Sequence, residues 1–289
     1  MDRILVPLDG STLAEAIVPV AEALAGDYES ELILIRAVAP RMVSGVESLE
    51  AKAKGAEAYL ARMGSQLRTR GLSKVRWSIR YARPDQAIAE AAVDNQVDLI
   101  AMTTHGRGGL ARLLLGSVAE SLVRLAPAPV LLVRGQPSWR PGGIGKILVP
   151  LDGSEMSAAI LPVVERLAGP FDLSIILFHT VEPIPRSAIV SEASTAMEDM
   201  ARIRRKDAEE YLSKVATGLD AKGLRVQHAV RIGQAGEVIE EYARQEGIGL
   251  IAMTTHGRSG FGRLFFGSVA EDVLRAATVP VLLRKAREE

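Results

Sequence analysis

Two polar loops in this 289-residue chain have the residue types of a phosphate-binding site. The first loop contains Thr103, Gly106, Arg107, Gly116 and Ser117, between an apolar run and a helical pattern. A glycine loop that leads into a helix presents unpaired backbone N–H groups and the positive end of the helix dipole, which suit phosphate oxygens. Its glycines permit close approach of a ligand, while the serine hydroxyl and the arginine guanidinium add direct contacts.

Asp9 supplies a second polar group, at the end of the apolar run ILVPL. A carboxylate at this position can accept a hydrogen bond from a ribose hydroxyl. Pro7, Leu8, Ala37 and Val38 would form an apolar slot for a base. We therefore expect a nucleotide site with the phosphates at the glycine loop and the nucleoside beside Asp9.

Both features occur twice, which identifies a tandem duplication. The segment ILVPLDGS stands at 4–11 and 147–154, and LIAMTTHGR stands at 99–107 and 250–258, each time with GSVAE further on. The first pair is offset by 143 residues and the second by 151, so the second copy has eight extra residues, which we place between its second and third strands. The second copy offers the same binding roles to Pro150, Leu151, Asp152, Thr180, Val181, Arg258 and Ser268.

Alternating strand and helix patterns predict the elements that position these loops. In the first copy the predicted strands are ILVPL, ELILIRAV, VRWSIRYA, DLIAMTT and APVLLVR. The predicted helices are 12–26 with Gly26 at its end, 48–69 closed by Gly71, PDQAIAEAAVDNQV, and GSVAESLVRLA. Strands separated by helices predict an α/β fold with a doubly wound, five-stranded parallel sheet and right-handed crossovers. Ligands bind such sheets beyond the carboxyl ends of the strands, where the strand order reverses.

Length and composition limit the classes of protein to which this chain can belong. We expect a first domain at 1–134, a Pro- and Gly-rich linker at 135–145 and a second domain at 146–289. The lack of cysteine excludes disulfides and thiolate chemistry, and the balance of 35 basic with 35 acidic residues argues against nucleic acid as a partner. The longest uncharged run has 11 residues, short of the roughly 20 that cross a membrane, and the N-terminus shows no signal-peptide pattern.

Catalytic and metal-binding patterns are weak. Asp9, His105 and Ser117 are the residue types of a hydrolase triad, but Ser117 does not stand in a G-x-S-x-G elbow. The four histidines lack metal-ligand spacing, and neither a P-loop lysine motif nor a G-x-G-x-x-G fingerprint follows a strand. We expect no catalytic residues and no metal site, with Mg²⁺ entering only on the phosphates of a nucleotide.

Each of these features also has an interpretation without a ligand. The segments 117–120 and 268–271 fit a capping box, in which Ser and Glu satisfy helix N–H groups. The Asp-Gly pair at 9–10 can form a plain turn. The glycine at 106 can simply adopt a positive φ angle, and the arginine at 107 can be a solvated charge on the loop.

With these motifs the chain resembles the universal stress protein family in its tandem two-domain form. The ATP-binding members carry the motif G-x2-G-x9-G-[ST] after the fourth strand. At the aligned positions this chain has Thr103, Gly106, Gly116 and Ser117, and again Thr254, Gly257, Gly267 and Ser268. The first glycine of the motif is thus threonine in both copies, which removes one point of close backbone approach. The resemblance also matches Asp9 and Asp152 to the family's aspartate on the adenosine side, and Val38 and Val181 to the position against adenine.

The resemblance implies two adenine nucleotide alpha hydrolase-like domains, paired through their fifth strands, in a cytoplasmic stress-response protein. It implies a regulatory module that binds ATP, ADP or AMP, with at most slow hydrolysis and with neither nucleic acid nor membrane as a partner. An interaction scaffold without nucleotide, a slow ATPase and a homodimer stay open. The implied binding residues of the first copy are Pro7, Leu8, Asp9, Ala37, Val38, Met102, Thr103, Gly106, Arg107, Gly116, Ser117 and Val118. Those of the second copy are Pro150, Leu151, Asp152, Thr180, Val181, Met253, Thr254, Gly257, Arg258, Gly267, Ser268 and Val269.

Overall fold

The structure, a computed structural model, describes residues 1–39, 49–104, 115–135, 145–183, 194–255 and 267–285. The chain divides into two compact units: the first contains residues 1–143 and 282–285, and the second contains residues 144–281. Within the described ranges, no helix is both long enough and apolar enough to cross a membrane.

The first unit contains a parallel sheet with helices between its strands. In chain order its elements are β1 Arg3–Pro7, α1 Thr12–Glu15, α2 Val18–Asp27, β2 Glu31–Ala37, α3 Leu49–Thr69, β3 Val75–Arg80, α4 Pro84–Asp94, β4 Leu99–Thr103, α5 Ser117–Leu125 and β5 Val130–Val133. The strand order is β3-β2-β1-β4-β5, so the order reverses between β1 and β4. The carboxyl ends of these two strands flank the switch point at which a doubly wound sheet binds ligands.

The second unit repeats this arrangement. Its elements are β6 Lys146–Pro150, α6 Glu155–Ala158, α7 Leu161–Ala168, a 3-10 helix at Gly169–Phe171, β7 Ser174–Val181, α8 Ser194–Asp220, β8 Arg225–Ile232, α9 Ala235–Gln245, β9 Leu250–Thr254 and α10 Ser268–Ala276. The last strand, β10 Val281–Arg284, follows α10 in the chain, and its residues 282–284 belong to the first unit. Four strands follow the order β9-β6-β7-β8, and the N–H of Ile251 donates to the carbonyl of Pro280 at 3.1 Å, beside the start of β10. The switch point of this unit lies between β6 and β9. The prediction of two doubly wound α/β domains is confirmed.

Apolar residues fill the central strands because helices cover both faces of a parallel sheet. Residues 4–6 of β1 and 147–149 of β6 have no exposed surface. Burial of one such aliphatic side chain contributes about 1.5–3 kcal/mol relative to exposure. These strands therefore form a rigid base for the polar residues that follow them.

Strand register locates the eight additional residues of the second copy. Leu34 of β2 pairs with Trp77 of β3, and Leu177 of β7 pairs with His228 of β8. The offset between the copies thus rises from 143 to 151 residues between the second and third strands, as predicted. The helix in this interval takes up part of the difference, since α8 has 27 residues and α3 has 21.

The predicted first helix, 12–26, consists of two helices, α1 and α2. Pro19 stands in the first turn of α2, and proline supplies no N–H for an intrahelical bond, so the helix is interrupted before it. Pro162 has the same place in α7. Gly26 does not end the helix either, because α2 continues through Asp27. The prediction of one continuous helix ending at Gly26 is therefore wrong.

Two glycines with positive φ lie at predicted turns. Gly71 has φ 109° and follows the end of α3, as predicted. Gly10 has φ 83° and directly follows Asp9. Most of the predicted linker, at 136–144, lies outside the described residues, so the predicted domain boundaries stay predictions.

Candidate functional site

Asp9 lies two residues after the end of β1 and is held in one orientation by Ser11. Its Oδ1 accepts hydrogen bonds from the backbone N–H of Ser11 at 2.8 Å and from the Ser11 hydroxyl at 2.6 Å. Ser11 also caps α1, because its Oγ accepts from the N–H of Ala14 at 3.1 Å. The turn at 9–11 and the helix cap together fix the carboxylate at the carboxyl end of the sheet. Asp9 and Gly10 thus lie in a turn, and both the ligand role of Asp9 and the alternative of a plain turn stay predictions.

Asp152 has the same geometry in the second unit. Its Oδ1 accepts from the backbone N–H and the hydroxyl of Ser154 at 2.9 and 2.6 Å. Ser154 caps α6 by accepting from the N–H of Ser157 at 3.1 Å. Each unit therefore presents one oriented carboxylate beside its switch point.

The helices that follow the fourth strand of each unit begin after glycine. Gly116 is the N-cap of α5, and its N–H donates to the carbonyl of Thr104 at 2.7 Å, which joins the two ends of the intervening loop. The N–H of Glu120 donates to the carbonyl of Gly116 at 3.0 Å and is the first intrahelical bond. The N–H groups of residues 117–119 stand before that bond, and no described side chain caps them. Helix α10 repeats this arrangement after Gly267.

The capping-box interpretation is wrong for both helices. A capping box needs serine at the N-cap and glutamate at N3. Ser117 and Ser268 instead occupy N1 after a glycine N-cap, and both are exposed. The φ of Gly116 is −66°, which every residue type adopts, so the backbone does not require glycine there. Backbone strain therefore does not explain the glycine at this N-cap.

The predicted binding residues divide into accessible and buried positions. The half-buried ones are Pro7, Asp9, Ala37, Gly116 and Val118, with Pro150, Asp152, Thr180, Gly267 and Val269 in the second unit. The buried ones are Leu8, Val38 and Met102, with Leu151, Val181 and Met253, and none is more than 8% exposed. The first set offers surface for contact with a ligand, while the second set supports the site from the core.

Threonine replaces the first glycine of the family motif at a buried strand end. Thr103 is the last residue of β4, pairs in register with Val133 of β5, and is 7% exposed. Thr254 ends β9 and is 5% exposed. Both side chains therefore lie within their unit rather than in the accessible part of the site.

A charged cluster lies beside Asp9 and was not predicted from the sequence. The hydroxyl of Tyr59 donates to Glu15 at 2.8 Å, and the guanidinium of Arg36 lies 5.1 Å from the centroid of the Tyr59 ring. Burial, then the hydrogen bond and charge of Glu15, raise the pKa of Tyr59 far above its ordinary value, and Asp9 adds to this while Arg36 opposes it. The phenol therefore stays neutral, and Arg36 places a permanent cation in this cluster. The sequence contained one indication of this cluster, because Arg36 interrupts the apolar run of β2. The aligned residue of the second copy is His179.

Several predicted site residues lie outside the described ranges. They are Gly106, Arg107, Gly257 and Arg258, together with the triad candidate His105. The phosphate contacts predicted for these loops therefore stay predictions. Among the residues that the structure does describe, no three His, Asp or Glu side chains are grouped so as to hold a metal ion.

The chain is similar to one protein family along nearly its whole length. The model of the universal stress protein family matches residues 1–134 and again 143–285. A universal stress protein of Mycolicibacterium smegmatis is 25% identical over 297 residues, which cover 98% of this chain and 97% of that relative. A universal stress protein of Methanocaldococcus jannaschii is 30% identical over 140 residues, which cover 48% of this chain and 81% of that relative. The crystal structure of a universal stress protein from Archaeoglobus fulgidus has a TM-score of 0.77 at 17% identity, with 99% of this chain and 98% of that one covered.

The double match agrees with the duplication seen in the motifs. The first matched segment covers the strands and helices of the first unit, and the second covers those of the second unit. The structural likeness independently supports the fold, since it extends over nearly all of both chains. This chain therefore belongs to the universal stress protein family and contains the family's domain twice.

Proposed function

We propose that each unit of this stress-response protein binds one adenine nucleotide, ATP, ADP or AMP, at the carboxyl end of its sheet. One observation carries the proposal. Beside the switch point, each unit combines an aspartate oriented by serine with a helix that begins after a glycine N-cap. Oriented acceptors and uncapped N–H groups are the chemistry that a ribose and a phosphate respectively require.

The N-terminus of α5 is suited to bind the phosphates of the nucleotide. Its first N–H groups and the positive end of the helix dipole favour an anion, and the dipole alone contributes about 0.3–1 kcal/mol per charge at an exposed site. The exposed hydroxyl of Ser117 is a further donor. At Gly116 no Cβ stands between an incoming phosphate and these groups. The same reasoning holds for α10 after Gly267.

The surface at the carboxyl ends of β1 and β2 is suited to bind the nucleoside. A carboxylate is a strong acceptor, and Asp9, oriented by Ser11 at the end of the sheet, suits a ribose hydroxyl as donor. Pro7 and Ala37 are half-buried apolar residues at the ends of these two strands and offer contact to a base. Nucleotide binding then acts as a regulatory signal, and Mg²⁺ accompanies the phosphates.

A scaffold that binds no nucleotide is the second candidate, because Thr103 and Thr254 replace a glycine of the family motif. Their burial supports the nucleotide proposal instead, since side chains 7% and 5% exposed do not occupy the accessible surface. A genuine ATPase is a third candidate, and steady turnover above about one per second would favour it over slow hydrolysis.

Co-purification tests the proposal. Freshly purified protein is denatured, and the supernatant is analysed by mass spectrometry for adenine nucleotides. We expect ATP, ADP or AMP in the supernatant and, for the emptied protein, a thermal unfolding midpoint that rises with added ATP, because a ligand of the folded state stabilises it. An empty supernatant together with an unchanged midpoint would overturn the proposal.

A further inference from the structure

The edge strand of the first unit is closed by an arginine. Strand β3 pairs with β2 on one side only, and its backbone groups point alternately towards β2 and outward. The N–H of Leu32 in β2 donates to the carbonyl of Lys74, so the groups of the next residue, Val75, point outward. The guanidinium of Arg68 donates to the carbonyl of Val75 and lies 5.1 Å from the centroid of the Trp77 ring. It therefore takes a hydrogen-bonding position that an added strand would need.

Different residues occupy these positions in the second unit. Asp220 aligns with Arg68, and His228 aligns with Trp77. An ionised aspartate has no hydrogen to donate to a strand carbonyl, and an imidazole is smaller than an indole. A groove of about 580 Å³ lies at this place, lined by His228 of β8 and by residues of α8 within 206–217. The second unit is thus open where the first unit is closed.

The backbone of β8 is accessible to a partner beside this groove. Strand β8 has 8 residues, pairs with β7 on one side only, and is joined to it by the N–H of Gly233 at 3.1 Å. The groups of Val226, His228 and Val230 alternate with this bond and point outward. The carbonyl of Val230 accepts from the guanidinium of Arg231 at 3.0 Å. Within the described ranges, the backbone groups of Val226 and His228 have no hydrogen-bond partner, so the open part of the edge is 226–228.

The groove carries an excess of positive charge. Both glutamates that line it are paired within α8, Glu209 with Arg205 at 2.9 Å and Glu210 with Lys206 at 3.5 Å. Lys214 also lines the groove and forms no ion pair with any residue that the structure describes. A partner with negative side chains would supply the missing counter-charge.

We propose that the edge of β8 binds an extended acidic segment of another protein by strand addition. The backbone of residues 226–228 pairs with the segment, and Lys214 attracts its acidic side chains. A second copy of this chain fits less well, because antiparallel pairing of two β8 strands centred on His228 places Arg225 opposite Arg231. Since β3 is closed by Arg68, each chain has one such surface. This surface is independent of the nucleotide sites.

The test is fluorescence anisotropy of the full chain with a labelled peptide that has the 8-residue length of β8 and alternates valine with glutamate. We expect this peptide to bind at least about tenfold more tightly than the same peptide with lysine in place of glutamate, because the edge is basic. Added salt should weaken its binding. Equal affinity for the two peptides, or binding of neither, would overturn the proposal.

Two variants of one residue separate the backbone from the side chain. His228→Pro removes an outward N–H and leaves the bonds to β7 in place, as proline does on an edge strand, so the Kd of the acidic peptide should rise about tenfold or more. His228→Ala keeps the N–H and is the matched control, with a Kd within about threefold of the unsubstituted chain. Circular dichroism checks that both variants fold. An unchanged Kd in folded His228→Pro would contradict strand addition.

Closure of the edge is a second test that needs no proline. Ala216→Gly, Asp220→Arg and His228→Trp together introduce the residues that close β3 in the first unit, and binding of the acidic peptide should be lost. Unchanged binding by this folded variant would overturn the proposal. Light scattering gives the mass of both chains in solution. A dimer that the closure converts to a monomer would show that a second copy occupies the edge, and would also overturn the proposal.

Discussion

At the scale of single residues, two serines connect the fold to the candidate sites. The hydroxyl of Ser11 accepts from the N–H of Ala14 and donates to Asp9, so one side chain both starts α1 and orients the carboxylate. Ser154 does the same for α6 and Asp152. Helix stability and the proposed ligand binding therefore depend on the same hydroxyl group.

Ser11→Ala tests this double role. Loss of the N-cap bond should lower the free energy of unfolding by about 1 kcal/mol, the ordinary cost of an N-cap serine. Asp9 also loses a hydrogen bond that orients it, so ATP affinity at the first site should fall while the second site is unchanged. Ser154→Ala is the matched variant and should affect the second site alone. Urea denaturation and ATP titration measure the two effects, and equal losses of affinity at both sites in either variant would contradict this double role.

Asp85 predicts a pH dependence of stability. Burial opposes ionisation of this carboxyl, but the hydrogen bond from Ser121 at 2.9 Å, the charge of Arg83 and nearby backbone N–H groups outweigh it and lower its pKa. Folding therefore favours the ionised form, whose contribution is present at neutral pH and is lost as the pH falls through the depressed pKa.

The corresponding variant is Asp85→Asn. It should lower the free energy of unfolding at pH 7, and the difference from the unsubstituted protein should shrink as the pH falls below the ordinary aspartate pKa of 3.8. Urea denaturation over a pH series measures the difference. A gap that stays constant with pH would show that the charge of Asp85 does not contribute.

At the scale of secondary-structure elements, α3 packs on β3 through a glycine. A Cβ on Gly64 would lie 2.6 Å from atoms of the Trp77 ring, over which the guanidinium of Arg68 lies at 5.1 Å. The aligned residues of α8 and β8 are Ala216 and His228. The second unit thus combines a larger helix residue with a smaller ring at the same contact.

Gly64→Ala should therefore lower the free energy of unfolding by about 1–3 kcal/mol, the usual range for overpacking. Trp77→His in the same chain should recover part of this loss, because it introduces the smaller ring found in the second unit. The two single variants and the double variant form a double-mutant cycle, measured by chemical denaturation. If the changes in the free energy of unfolding are additive, the two residues do not interact, which would contradict this prediction.

Some elements are more predictable from sequence than others. The buried strands were predictable, because a continuous apolar run closed by polar residues is typical of a strand inside a parallel sheet. The break before Pro19 could have been predicted, since proline at the first turn is itself a helix-start pattern. The capping-box prediction failed because α5 begins one residue later than that motif requires, so Ser117 is N1 instead of the N-cap. Residue spacing in the sequence cannot locate a helix start to within one residue. The contact of Gly64 with Trp77 depends on tertiary packing, which no local pattern contains.

At the scale of the whole molecule, duplication predicts two binding events per chain. Each unit has its own switch point, its own oriented aspartate and its own glycine-capped helix. The two sites need not be equal, because Arg36 and Ala37 of the first unit correspond to His179 and Thr180 of the second. We therefore expect two nucleotides per chain, bound with different affinities, in a titration of the emptied protein.

The most direct test of nucleotide binding in both units is the stoichiometry of ATP binding by isothermal titration. The unsubstituted chain should bind two ATP molecules, the variant with Asp9→Ala and Gly116→Ala should bind one, and the further addition of Asp152→Ala and Gly267→Ala should abolish binding. Circular dichroism of each variant controls for folding. An unsubstituted chain that binds no ATP, or a fourfold variant that folds and still binds two, would contradict the central claim.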